Sequence, residues 1–391
     1  MAVSITATAT AQTIESGDAT GPVAMIARLR VCIISDDLSG VADEGVKKYT
    51  VALAAALRAD HEVAVISTTG PTAPDGVTVI PSRRSFVSAA LRATLRTQRP
   101  DVIIYAARGS ATFFSFLRAR LLRAYCPGAR IILLGLQTRQ HSHLQQRLIG
   151  VLRPDLVGVG SAANASYLAG IGCRVALLPS GVDLRLFKPL APEERLALRA
   201  AHGLQGDLPI VLHVGHLEAG RNVRHLATLA ALGTCQVVLV TSSSTAAQAE
   251  QELGRELRAA GVRLITTYQP HIEELYQLAD CYLFPTESTD NAIDAPLSVL
   301  EALACDLPVV TTPYGGLPGL FANRCDPALR FAENPVELIA AAAQVAQSGL
   351  RGGRSLVEPF GWGTIAGQLI AAVYAHDPAR AAAVQINGGE R

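Results

Sequence analysis

The segment Val214-Gly-His-Leu-Glu-Ala-Gly-Arg-Asn follows an apolar run, Leu208-Pro-Ile-Val-Leu-His-Val-Gly, and precedes an apolar-periodic helix from Val223 to Leu232. It carries two side chains able to hold positive charge, His216 and Arg221, beside a helix N-terminus whose free amides already favour anions. Together they can neutralise a diphosphate without a metal ion. Arg221 stays charged at any physiological pH, whereas His216 carries charge only when protonated. A solvated loop arginine with no ligand is the competing reading.

Glu301 lies one turn into a second predicted helix, in Pro296-Leu-Ser-Val-Leu-Glu-Ala-Leu-Ala-Cys-Asp-Leu-Pro-Val-Val-Thr-Thr. A carboxylate among such apolar neighbours is costly unless it accepts hydrogen bonds, which ribose hydroxyls could donate. A glutamate paired within the protein is the alternative. Asp294 reads either as a helix N-cap, with Pro296 in the first turn, or as a sugar contact. Earlier in the chain, Gly45 ends a polar loop, Asp36 to Gly45, where it turns into a helix. Its amide could approach a phosphate unobstructed, although a turn glycine needs no ligand. That loop has neither GxGxxG nor GxxxxGK[ST], which counts against NAD enzymes and ATPases.

These residues depend on the elements that hold them. Strand-like runs at Arg30-Val-Cys-Ile-Ile-Ser, Glu62-Val-Ala-Val-Ile-Ser, Asp101-Val-Ile-Ile-Tyr, Arg130-Ile-Ile-Leu-Leu and Asp155-Leu-Val-Gly-Val alternate with helical stretches such as Val46 to Ala59 and Phe113 to Tyr125. A second set follows Pro192: strands at Ile210, Gln236, Arg263, Cys281 and Pro308, with a helix between each. The alternation predicts two doubly wound parallel sheets in tandem, with ligands outside the carboxyl ends of their strands and hence an interdomain cleft.

The 391 residues exceed one ordinary core, and 49% hydrophobic against 17% charged residues indicates a globular chain. Between Arg28 and Gly150 basic residues outnumber acidic ones by about two to one, and acids are in excess beyond, so the first half prefers anionic partners. Seven dispersed cysteines with no CxxC pair point to buried thiols in a reducing cytoplasm, without a zinc site. No apolar run is long enough to span a bilayer. Residues 1–27 read as a disordered tail, with Met25 an alternative start.

The two motifs and their setting resemble glycosyltransferase family 4, a large retaining family with the GT-B fold. That family places Gly-Arg, four residues, then Lys-Gly in the first loop; here His216 stands for the arginine, Arg221 for the lysine and Asn222 for the glycine. His271-Ile-Glu-Glu-Leu-Tyr-Gln-Leu-Ala-Asp-Cys-Tyr-Leu-Phe-Pro-Thr resembles the family's helix-Ala-Asp-strand passage, and Leu178-Pro-Ser-Gly-Val-Asp its interdomain passage. Phe360-Gly-Trp with the helix after it resembles the family's terminal crossover helix. Glu301 takes the place of the second motif glutamate. The first belongs eight positions earlier, at Ile293, with Thr289, Asp290 and Asp294 as nearby polar candidates. Gln137 is the polar residue nearest the place of a strand-end histidine, while His141 and His143 read as loop or helix surface.

The resemblance implies a GT-B architecture: a tail at 1–27, an N-terminal Rossmann-like acceptor domain at 28–189, a C-terminal donor domain at 190–358, a crossover helix at 359–376 and a tail at 377–391. It implies retaining, metal-independent, hexosyltransferase-like transfer from a nucleoside-diphosphate sugar to a hydroxyl acceptor, a glycan or lipid-linked molecule among the candidates. No cofactor or nucleic acid is expected. Arg221, His216 and Glu301 become catalytic candidates. Gly45, Gly215, Tyr268, Gln269, Asp294, Leu297, Ser298 and Glu301 become donor-binding candidates, with Tyr268 and Gln269 beside the nucleobase. A partner subunit without turnover and a nucleotide-sugar epimerase are the alternatives. Arg83, Arg84, Arg92, Arg96 and Arg99 around one predicted helix, and Arg118, Arg120 and Arg123 beside Phe113, Phe114, Phe116, Leu117, Leu121 and Leu122 on another, raise peripheral contact with the inner membrane face. Against it, those Phe and Leu side chains could simply face the core.

Overall fold

The computed structural model describes residues 28–40, 44–70, 74–82, 86–204, 206–241, 248–288, 292–324 and 326–375. The two tails, Arg83, Arg84, Thr289, Asp290 and Cys325 lie outside them. The first sheet contains β1 (Arg30–Asp37), β2 (Glu62–Thr69), β3 (Val77–Val79), β4 (Val102–Ala106), β5 (Arg130–Gly135), β6 (Leu156–Val159) and β7 (Val175–Leu177). The second contains β8 (Ile210–Val214), β9 (Gln236–Val240), β10 (Arg263–Ile265), β11 (Cys281–Phe284), β12 (Val309–Thr311) and β13 (Leu329–Phe331).

Every pairing is parallel, in the orders β3-β2-β1-β4-β5-β6-β7 and β10-β9-β8-β11-β12-β13. Ile33 of β1 is in register with Val65 of β2 on one side and Ile104 of β4 on the other. All five residues of β4 are buried, because helices cover both faces of the sheet and leave no side of the strand to water. The short strands β3, β7 and β13, unread from the sequence, are all at sheet edges and only partly buried, so they lack the apolar run that marks an inner strand.

Strand order reverses between β1 and β4 and again between β8 and β11, which opens a crevice at the carboxyl edge of each sheet. The last helix, Trp362–Tyr374, returns to the first domain and buries Ala366, Leu369, Ile370, Val373 and Tyr374 in its core. Trp362 meets Tyr49 edge to face at 5.0 Å. Gly181 is needed beneath it, since a Cβ there would lie 2.4 Å from the indole ring.

The two domains also interlock through main chain. Across the interface the Asp294 N–H donates to the Leu136 carbonyl at 2.7 Å and Ser180 Oγ donates to the Ala295 carbonyl at 2.6 Å, while within the second domain Gly316 N–H donates to the Asp294 carbonyl at 2.7 Å. A Cβ on Gly316 would sit 2.1 Å from the Gly160 carbonyl oxygen, so this approach of one domain to the other requires a bare backbone.

Candidate active site

A cleft of about 400 Å³ separates the facing carboxyl edges of the sheets. Its second-domain wall carries Gly215, His216 and Arg221 after β8, Tyr268 and Gln269 after β10, and Leu297, Ser298 and Glu301 on the helix Leu297–Ala304. Gly45 and Lys48 of the helix Gly45–Leu57, Arg108 after β4 and Gln137 after β5 form the opposite wall. All the site residues expected from the sequence therefore line one cavity except Asp294.

Arg221 ends a 3-10 turn, Ala219–Arg221, and the next residue, Asn222, has φ 56°. That left-handed conformation suits glycine and, among residues with a side chain, asparagine, which is what stands there. Burial lowers the Arg221 pKa, opposed by the nearby Glu218 carboxylate, and its Nε has no hydrogen-bond partner among the described residues. His213, which the sequence reading passed over, lies beside it. Its Nδ1 donates to the Leu283 carbonyl at 2.8 Å and its ring stacks on Tyr282. Burial pushes the His213 pKa down to about 4, helped by the Arg221 charge and opposed by the Leu283 hydrogen bond. The imidazole is therefore neutral near pH 7 and adds no second buried charge to that of Arg221. Above both, a Cβ on Gly215 would come within 2.9 Å of His213 Nε2 and 3.0 Å of Arg221 Nη1. Only glycine lets the cleft surface lie directly on these two polar groups.

Glu301 has a partner that sequence reasoning missed. Its carboxylate, 5% exposed, accepts Lys48 Nζ from the opposite domain at 2.5 Å. The lysine also lies over the Phe187 ring, 5.4 Å from its centroid. Burial and then the Glu301 charge raise the neighbouring Tyr276 phenol well above its ordinary pKa. A signal for Lys48 did exist. Lys47 and Lys48 occupy the first turn of a helix, where the backbone dipole disfavours cations, so each needs a compensating acceptor. Lys47 donates to the Ser39 carbonyl at 2.9 Å, and Lys48 reaches Glu301.

Ile293, in the place of the family's first glutamate, is 6% exposed and packs with the apolar core of the first domain. Its Cγ2 lies 3.7 Å from the position a Cβ on Gly45 would take. This end of the cavity, with Val46, Ala292 and Leu297 also lining it, is apolar.

Asp294 is neither a helix cap nor part of the cavity wall. The cap position is Pro296, and the Asp294 carboxylate is fully buried in the first domain. It accepts hydrogen bonds from Thr138 N and Oγ1, both at 3.1 Å, from Ser161 Oγ at 2.9 Å and from Asn164 Nδ2 at 3.5 Å. Burial raises its pKa in spite of these four donors. The reason is topological: its donors stand more than a hundred residues away, at the ends of β5 and β6. His141, expected at the surface, is also buried, with Nδ1 on Tyr167 Oη at 2.9 Å and Nε2 on the Ala111 carbonyl at 3.0 Å. His143 is exposed at the start of a helix.

Residues 209–348 match the family described as Glycosyl transferases group 1. The D-inositol 3-phosphate glycosyltransferase of Xylanimonas cellulosilytica is 28% identical over 213 residues, 50% of this chain and 50% of that protein. The alpha-maltose-1-phosphate synthase of Mycolicibacterium smegmatis is 25% identical over 221 residues, 50% of this chain and 56% of that one. The chain thus spans about half the length of these curated relatives. Among solved structures, sucrose-phosphate synthase of Thermosynechococcus elongatus aligns with a TM-score of 0.71 at 20% identity, covering 90% of this chain and all of that one. HepE of Anabaena, solved with UDP and glucose, aligns with a TM-score of 0.66 at 18% identity, covering 89% of this chain and all of its own. The fold is GT-B, and the second domain carries the group 1 glycosyltransferase sequence pattern.

Proposed function

We propose that this protein is a glycosyltransferase that moves a sugar from a nucleoside-diphosphate donor to a hydroxyl acceptor with retention of configuration. The observation that carries the proposal is the meeting of Arg221, beneath Gly215, with Glu301 in one interdomain cleft, within a segment matching the Glycosyl transferases group 1 family. Arg221 lies where a diphosphate along the Gly215 surface would meet a partly dehydrated cation, and His216 and the first-turn amides at Leu297 and Ser298 add donors. Tyr268 and Gln269 at the rim face the base, and Glu301 the ribose.

In the transfer, the bond between the anomeric carbon and the diphosphate oxygen breaks while the acceptor oxygen bonds to that carbon on the same face. The acceptor proton passes to the departing oxygen. No protein base is required, which fits a first-domain wall offering Gln137 and not a histidine at the end of β5. Charge grows on the leaving diphosphate, and Arg221 is placed to stabilise it without a metal ion. We place the reaction in the cytoplasm.

A nucleotide-binding partner subunit without turnover is the second reading, favoured by the buried Ile293 in the place of a sugar-binding glutamate. Product analysis after incubation with a panel of nucleotide sugars and hydroxyl acceptors, with and without chelator, separates the two. Glycoside formed equally in chelator supports the proposal. Nucleotide binding with no sugar transferred favours the partner subunit, and an epimerised donor with no acceptor product favours an epimerase.

A further inference from the structure

On the first domain the helices Phe113–Tyr125 and His143–Leu152 pack side by side on the same face of the sheet. Their inner sides place Phe116, Ala119, Leu122 and Ile149 in the core, which answers much of the apolar stripe read from the sequence. Their outer sides are apolar too. Phe114 is 66% exposed, Leu144 68% and Val151 78%, with Leu117 and Leu148 also in solvent. Leu144, Leu148 and Val151 repeat at helical spacing, so they form one stripe opposite buried Ile149. Single exposed leucines are ordinary; five large apolar side chains exposed on two touching helices go beyond that scatter.

The charge around this face identifies its occupant. Between Asp101 and Asp155 the chain contains eight arginines and no acidic residue. Several are committed inward: Arg118 to Asp36 and Tyr105, Arg123 to Asp155, Arg153 to the Gly172 carbonyl. Arg120 and Arg147, one on each helix, are exposed and form no ion pair with any described residue. A second copy laid symmetrically on this face would set these like charges against one another. An anionic lipid surface meets both components, since the apolar side chains enter the headgroup boundary while the guanidiniums stay with phosphates. Both helices start at the carboxyl edge of the sheet, so Phe114 and Leu144 stand at the same end of the domain as Gln137 and the cleft.

We propose that the outer face of these two helices docks on an anionic lipid surface and so turns the first-domain wall of the cleft toward acceptors held at the membrane. The acceptor half of this statement rests on the glycosyltransferase reading; the docking itself does not.

Co-sedimentation of the full chain with phosphatidylglycerol–phosphatidylcholine vesicles, and with phosphatidylcholine alone, tests it at low salt and without nucleotide. Anionic vesicles should bind at least about tenfold more tightly and release the protein near 1 M salt, where the Debye length is only about 3 Å. Arg120→Ala with Arg147→Ala should weaken binding about 30-fold, and Leu144→Ser with Leu148→Ser about tenfold or more, with melting temperatures held near the parent's because all four side chains are exposed. Equal binding to both vesicle types, or none, overturns the proposal. So does a dimer in sedimentation equilibrium that Leu148→Glu dissociates while no vesicle is bound, which would assign the face to self-association. A nucleoside-diphosphate thermal shift on the same samples reports on the donor cleft separately, so its failure strikes the transferase reading and leaves the docking result standing.

Discussion

The two walls of the cleft are built differently. On the second-domain side, Gly215, His216 and Arg221 come from one loop, and Leu297, Ser298 and Glu301 from one helix. Within each of these segments positions follow from short-range geometry, a 3-10 turn, a left-handed Asn222 and a single helical turn, although Tyr268 and Gln269 join the wall on a third segment after β10. On the first-domain side, Gly45, Lys48, Arg108 and Gln137 come from three separate strand ends and meet only because β1, β4 and β5 are neighbours in the sheet. A wall of the first kind can be found from a motif. The second kind exists only after the sheet has formed.

If the second-domain wall holds the chemistry, Arg221→Ala is the most damaging change. Transfer should fall on the order of 10²-fold or more, mostly in kcat, because the charge it meets develops as the donor bond breaks. Steady-state kinetics with saturating donor measure this, and parental kcat in the variant would move the chemistry elsewhere.

The contact between the walls is tested at Lys48. Lys48→Met leaves the buried Glu301 carboxylate without its cation. Because the lysine is 33% exposed and Glu301 5%, water screens part of the loss, and about 1–2 kcal/mol of stability should go. Adding Glu301→Gln should restore part of it. A denaturant series of the two single variants and the double supplies the coupling, and independent effects would show that the pair contributes nothing to joining the domains.

Glu301→Gln alone should weaken nucleoside-diphosphate binding by about 1–3 kcal/mol, the usual worth of a hydrogen bond to a charged group. Calorimetry on the folded variant decides it. Undiminished affinity would leave Glu301 as a partner of Lys48 and not of ribose.

The smallest effect lies at the join. The raised Asp294 pKa means that the folded protein binds this proton more tightly than the unfolded chain. Its contribution to stability is therefore fully present below the ordinary aspartate value near 3.8 and is lost as pH rises through the raised folded value. Asp294→Asn should remove that slope from the pH dependence of unfolding while also losing hydrogen bonds from Thr138, Ser161 or Asn164. The same slope in parent and variant would mean the carboxylate ionises without cost.

The sequence by itself determined the layered architecture and the second-domain wall. Inner parallel strands are buried on both faces, so they appear as apolar runs such as Val102 to Ala106, and the loop after each run is where a parallel sheet exposes its carboxyl edge. That edge, together with the motif resemblance to glycosyltransferase family 4, placed His216, Arg221 and Glu301 at the cleft. Tertiary structure decided the rest, because it turned on distances between residues far apart in the chain. It gave Glu301 a lysine 253 positions earlier, put Asp294 beneath the ends of β5 and β6, and folded His213 against Arg221 under a glycine. It also decided which side of the helix Phe113–Tyr125 met the core. Periodicity identifies an apolar face, but that helix and its neighbour have apolar residues on two sides, and only the packed sheet determines which of them is left for solvent.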